Sequence, residues 1–64
     1  MLKINGRPSS AAGMMLMEYL EQAGVDPARI AVELDGEIIP RADYANTRLQ
    51  DDQELEIVSF VGGG

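Results

Sequence analysis

Apolar and polar positions alternate with a strand-like period along most of this chain and switch to a helical period once. Leu2 and Ile4 share one face of an opening strand, Met1 to Ile4. Asn5-Gly6 follows it. Both central positions of a type I′ turn need φ > 0, which makes this pair a strong hairpin signal. Arg7-Pro8-Ser9-Ser10 is then the return strand, and Pro8, having no N–H to give to a ladder, places it at a sheet edge. After Gly13, the residues Leu16, Tyr19, Leu20 and Ala23 recur at i, i+3, i+4 and i+7. They predict one apolar helix stripe, with Glu18, Glu21 and Gln22 toward water. Gly24 stops this helix, and Val25 is placed to pack back on its last turn. The helix start is poorly signalled, because Met14 or Met15 stands where a Ser or Thr cap is expected. The Met cluster reads as loose core filling or as a Met-rich binding surface.

Asp26 to Arg29 reads as a turn, and Ile30, Val32 and Leu34 then align on a strand. Asp35-Gly36 is a second type I′ signal, Glu37-Ile38-Ile39 returns, and Pro40 ends that strand. Residues 41–49 are irregular or a short helical turn anchored by Tyr44 and Leu49. Asp51 to Gln53 turns the chain into a last strand, Leu55 to Val61, which runs into Gly62-Gly63-Gly64. The order β, β, α, β, β, β predicts an α+β fold of two layers. A β-grasp arrangement satisfies it: a mixed sheet of four to five strands, one main helix across one face, and the last strand central beside the first. Residues 1–64 read as a single domain, with 62–64 as a flexible tail.

Composition narrows what such a domain can do. The chain has 64 residues, with no Cys, no His and no Trp. A chain of this length buries only about 60% of its unfolded surface, and no disulfide or thiolate metal site supplements it. The usual general base near neutral pH is missing, and no nucleophile–base pair exists. A self-contained enzyme is therefore not expected, and no residue is expected to be catalytic or to ligate a metal.

The net charge of −6 lies entirely in the second half. Lys3, Arg7 and Arg29 balance Glu18, Glu21 and Asp26, whereas Arg41 and Arg48 face eight carboxylates between Glu33 and Glu56. Such a surface repels nucleic-acid phosphates and anionic lipid. It serves solubility, or a partner with a basic docking face. No targeting segment or membrane span is read from the sequence, and a cytoplasmic location is expected.

The last strand and its tail carry the chemistry. Alternation puts Leu55, Ile57, Ser59 and Val61 on one face and Glu56, Val58 and Phe60 on the other. Leu55 and Ile57 suit a helix-covered core. Val58 and Phe60 fall on the open face, either half-buried among neighbouring strands or forming a contact patch for a partner. Three glycines can fray, or they can thread a narrow channel in extended form, because Gly has no Cβ. Three extended residues reach about 10 Å. A terminal carboxylate becomes an electrophile once made a mixed anhydride, for instance with AMP. A thiol or persulfide sulfur then attacks it.

The whole chain resembles the ThiS family, the sulfur carriers of thiamine biosynthesis. The resemblance rests on Ile4-Asn5-Gly6, Gly13 with Leu16 to Leu20 and Gly24, Val32 to Arg41, and Leu49 to Asp52 before Leu55 to Val58. It rests most of all on the ending Val58-Ser59-Phe60-Val61-Gly62-Gly63-Gly64. The resemblance implies a ubiquitin-like β-grasp protein that binds no cofactor of its own. It implies that a ubiquitin-activating-type adenylyltransferase uses MgATP to adenylate the carboxylate of Gly64. Sulfur from a persulfide, supplied by a cysteine desulfurase, then makes a thiocarboxylate that serves thiazole synthase. Gly62, Gly63 and Gly64 would thread the partner site, and Val58, Phe60 and Glu56 would dock on it. The small subunit of molybdopterin synthase, another thiocarboxylate carrier and a non-catalytic interaction module or protein modifier are the alternatives. Departures from the pattern fall at Pro8 to Ala12, at Met14 and Met15, and at Asp52.

Overall fold

A computed structural model describes residues 1–60. Val61, Gly62, Gly63 and Gly64 lie outside the described residues, and with them the end expected for the last strand and the expected flexible tail. Five strands form one mixed sheet: β1 (Lys3–Ile4), β2 (Arg7–Pro8), β3 (Ile30–Leu34), β4 (Glu37–Ile39) and β5 (Glu54–Ser59). Their spatial order is β2-β1-β5-β3-β4. One helix, α1 (Leu16–Gln22), and two 3₁₀ turns, Pro27–Arg29 and Arg41–Asn46, complete the described chain. The last strand is central, parallel to β1 and antiparallel to β3. This is the expected β-grasp arrangement.

Both hairpin turns form as their residues require. Asn5 and Asp35 take φ of 50°, and the glycine after each is also left-handed. Asn and Asp tolerate this conformation better than other non-glycine residues. The return strand β2 is shorter than the expected Arg7 to Ser10. Pro8 sits at the edge of the sheet, and the Ser9 N–H still donates to the Leu2 carbonyl at 2.8 Å. The opening strand is likewise short, Lys3–Ile4, with Leu2 and Asn5 bonded to its neighbours on either side of it.

The helix begins at Leu16 with Met15 at the cap position, one of the two places expected for it. Residues 13–16 are held by the segment 47–49. The Gly13 N–H donates to the Leu49 carbonyl at 2.7 Å, the Leu49 N–H to Met14 at 2.8 Å, and the Leu16 N–H to Thr47 at 2.7 Å. The missing cap is partly supplied from inside the helix: Glu18 accepts from the Met15 N–H at 3.0 Å, which also sets a carboxylate at the positive end of the helix. At the other end, the Val25 N–H donates to Leu20 at 3.0 Å and the Gly24 N–H to Glu21 at 3.1 Å, with Gly24 at φ 73°. This is the Schellman ending that only a residue without a Cβ adopts freely.

The core lies between α1 and one sheet face. Leu2, Leu16, Leu20, Leu49 and Leu55 are fully buried, joined by Val32 and by Tyr44 from the second 3₁₀ turn. Met14, Met17 and Val25 pack at its margin, as core filling requires. At the far end of the sheet the Met1 ammonium meets Asp52 at 2.7 Å and Asp51 at 3.3 Å. The hydrogen bond that the ammonium donates to Asp52, then that to Asp51, raises its pKa above the ordinary value, and the ammonium in turn lowers that of Asp51. Among the described residues no helix is long and apolar enough to cross a membrane.

Candidate functional site: the open sheet face

The helix covers one side of the sheet only, so strand register decides which side chains face outward. Ile30 and Val32 are buried, which turns Ala31 and Glu33 of β3 to the open face. Residues paired across a ladder share a face. Ala31 is paired with Val58, and Glu33 with Glu56, on one side. On its other side Glu33 is paired with Ile38 of β4. The outward row is therefore Ile38, Glu33, Glu56, with Ala31 and Val58 in the next row toward the exit of β5. Lys3 and Glu54 lie in a row on the opposite side of Glu56.

The exposures match this reading. Ile38 is 70% exposed, Val58 59% and Phe60 57%, whereas Leu55 on the other face is buried and Ile57 half-buried. Val58, Phe60 and Glu56 thus stand together where the alternation of the last strand puts them. Phe60 lies just past β5 but is still tied to the fold, since its N–H donates to the Arg29 carbonyl at 2.8 Å. Gly62, Gly63 and Gly64, named as the tail, lie outside the described residues.

Ile38 belongs to this patch as well, which the expectation of a simple return strand at Glu37-Ile38-Ile39 does not include. The signal was present in the sequence. A two-residue turn at Asp35-Gly36 pairs Leu34 with Glu37, so the next pair is Glu33 with Ile38. Ile38 must then follow Glu33 to the open side.

Two hollows flank these residues. One, of about 180 Å³, is lined by Ala31, Val32, Glu33, Ile38, Glu56 and Val58. The other, of about 350 Å³, runs around the β4 edge between Pro27, Ile38, Pro40, Arg41 and Phe60. The larger is at the bottom of the range that small-molecule sites occupy, and the smaller is below it.

A further hydrogen bond positions the exit of β5. Strand β1 ends at Ile4, yet β5 continues. The Asn5 side chain fills the next place in the ladder: the Ile57 N–H donates to Asn5 Oδ1 at 2.8 Å, while the Asn5 N–H donates to Leu55 at 2.8 Å. The Asn5-Gly6 pair was legible as a turn, but this second task of Asn5 was not.

Comparison with known proteins agrees with the architecture. The family model described as the ThiS family matches residues 2–64. A thiazole synthase of Paramagnetospirillum magneticum is 42% identical over 98% of this chain, which covers 20% of that protein. The chain thus spans about a fifth of the length of the thiazole synthases that it matches. The sulfur carrier protein ThiS of Thermus thermophilus is 33% identical over the full length of both chains. A crystal structure of the thiamine biosynthesis protein ThiS from Geobacter metallireducens superposes with a TM-score of 0.80 at 33% identity, covering 98% of this chain and 97% of the other. A sheet with its last strand at the centre, an exposed Val58–Phe60 face and a family match across nearly the whole sequence lead to one conclusion: the chain belongs to the ThiS family.

Proposed function

We propose that this protein is a sulfur carrier for the thiazole moiety of thiamine, acting as a co-substrate of partner enzymes and not as an enzyme itself. The observation that carries this reading is the sequence Val58 to Gly64, a docking face leading into three glycines, in a chain that belongs to the ThiS family. Relatives named thiazole synthase and sulfur carrier protein support the choice of pathway.

In this reading a ubiquitin-activating-type adenylyltransferase binds Val58, Phe60 and Glu56 and receives Gly62, Gly63 and Gly64 in its active site. The Gly64 carboxylate attacks the α-phosphate of MgATP and pyrophosphate leaves. The terminal sulfur of a persulfide, derived from cysteine through a desulfurase, displaces AMP from the acyl adenylate. A second thiol of the partner takes the other sulfur into a disulfide and releases the thiocarboxylate. Thiazole synthase then takes up that sulfur. The fold supplies a rigid handle and a docking face, and the reactive group is backbone.

The test is covalent. Incubation with the adenylyltransferase, MgATP and a persulfide donor should change the intact mass by one oxygen-to-sulfur exchange at Gly64. Deleting Gly64 should abolish that change and leave the melting temperature as it was. An unchanged mass with an enzyme shown to be active refutes the carrier reading. A large loss of stability on the deletion refutes the view that the end is separate from the fold.

A further inference from the structure

Glu33 and Glu56 stand directly opposite each other across the central β3–β5 ladder. Like charges in that position are destabilising, because their Cβ atoms are only about 4.5–5.5 Å apart. The described ion pairs involve Met1, Asp51, Asp52, Arg29 and Asp26, and neither glutamate is among them. Lys3 shares the face but is not within ion-pair distance of either. A pair of carboxylates is thus set side by side in the lining of the hollow of about 180 Å³, together with the apolar residues Ala31, Val32, Ile38 and Val58.

The hollow is too small for a free small-molecule ligand, which usually needs about 300–1,000 Å³. It suits one side chain of a macromolecular partner. That side chain must be long and apolar along its stem and cationic at its tip. Arginine meets both demands better than lysine. Its planar guanidinium has several donors that reach two carboxylates at once, and it is more weakly hydrated than an ammonium. Its methylene stem lies readily along apolar surface.

We propose that the open sheet face takes an arginine side chain from the docking surface of the partner enzyme, stem across Ile38, Ala31 and Val58 and guanidinium between Glu33 and Glu56. This deepens the carrier reading, since the partner is the enzyme of that reading. The arginine neutralises a repulsion that the free protein carries, so the bound state gains from a contact that the fold alone does not use. Ile38 and Glu33 thereby join Val58, Phe60 and Glu56 as recognition residues.

Two independent measurements test this. In the first, the ¹⁵N-labelled protein is titrated with the peptide acetyl-Leu-Arg-Leu-amide and with the same peptide carrying citrulline, which lacks the charge. The arginine peptide should shift the amides of Ala31, Glu33, Ile38, Glu56 and Val58, and the citrulline peptide should not. Equal shifts with both, or shifts centred elsewhere, overturn the proposal. In the second, Glu33→Gln, Glu56→Gln and the double variant are compared with the parent in thermal melting and in loading by the adenylyltransferase. Each variant should melt higher, because a repulsion is gone. Each should raise the KM for the carrier about three- to tenfold with kcat unchanged, an effect that shrinks at high salt. An unchanged KM in the double variant overturns the proposal while leaving the carrier reading intact. A protein that no adenylyltransferase loads, yet which takes the arginine peptide at this face, refutes the carrier reading and supports the site.

Discussion

Replacing Phe60 by alanine separates folding from docking, because the exposure of the ring divides its apolar surface between the two. Complete burial of a Phe side chain is worth roughly 1.5–3 kcal/mol. The ring is 57% exposed in the free protein, so a little under half of that transfer energy is already realised in the fold. Phe60→Ala should therefore cost about 1 kcal/mol of stability. The remaining surface, worth about 1–1.7 kcal/mol, is available to a partner that covers it, which corresponds to roughly a 5- to 20-fold loss of affinity. Leu20 is the contrast, since it is fully buried and offers a partner nothing. Leu20→Ala falls in the class of core truncations costing about 2–5 kcal/mol, a large share of the stability of so small a domain. The assay pairs urea denaturation of each variant with loading kinetics, at carrier concentrations below saturation and corrected for the folded fraction. A Phe60→Ala protein that loses more than about 2 kcal/mol of stability but loads normally per folded molecule refutes the reasoning. Phe60 is then a core residue and the docking face is misplaced.

The other expectations concern the ends of the sheet. Asn5→Ala should cost about 1–2 kcal/mol, because the Ile57 N–H loses its acceptor and alanine fits the left-handed turn poorly. Amide exchange at Ile57 should quicken, while Asn5→Asp, which keeps an acceptor and tolerates the turn, should stay near the parent; unaltered exchange in the alanine variant refutes the role. The Met1 ammonium pKa is raised by Asp52 and Asp51, so its contribution is complete below its ordinary 8.0 and fades as pH rises through the raised value. The Asp51 value is lowered, so its contribution is present above its ordinary 3.8 and fades as pH falls through the lowered value. Acetylating the terminus should lower the melting temperature slightly between the ordinary values of 3.8 and 8.0, and the difference should vanish as pH rises through the raised ammonium value. A uniform loss at all pH values refutes the ion-pair origin.

Most of the fold is legible in the sequence because the features that build it are local. Asn5-Gly6 and Asp35-Gly36 each require two left-handed residues, and both turns form. Gly24 with Val25 specifies the helix end within six residues, and the alternation of the last strand sorts Leu55 from Val58 and Phe60. What the sequence hides are partners distant along the chain. The entry to the helix, residues 13–16, is held by Thr47 and Leu49 across more than thirty positions. Asn5 reaches β5 across 52 positions. Local preference cannot report either one. Ile38 and the Glu33–Glu56 pair are intermediate cases: they follow from register, which a two-residue turn fixes for β4 but which only the assembled sheet fixes between β3 and β5.

The parallel pairing of β1 with β5 also sets the polarity of the molecule. Lys3 is paired with Glu54, and Ser59 lies five residues farther along β5, about 17 Å away at the usual strand rise. Met1 is anchored beside Asp51 and Asp52, at the pole opposite Phe60. The described chain thus begins at one pole of the sheet and ends, at Phe60, at the other. A tag, a surface linker or a second domain joined ahead of Met1 therefore emerges at the pole opposite Val58 and Phe60, away from the open-face patch.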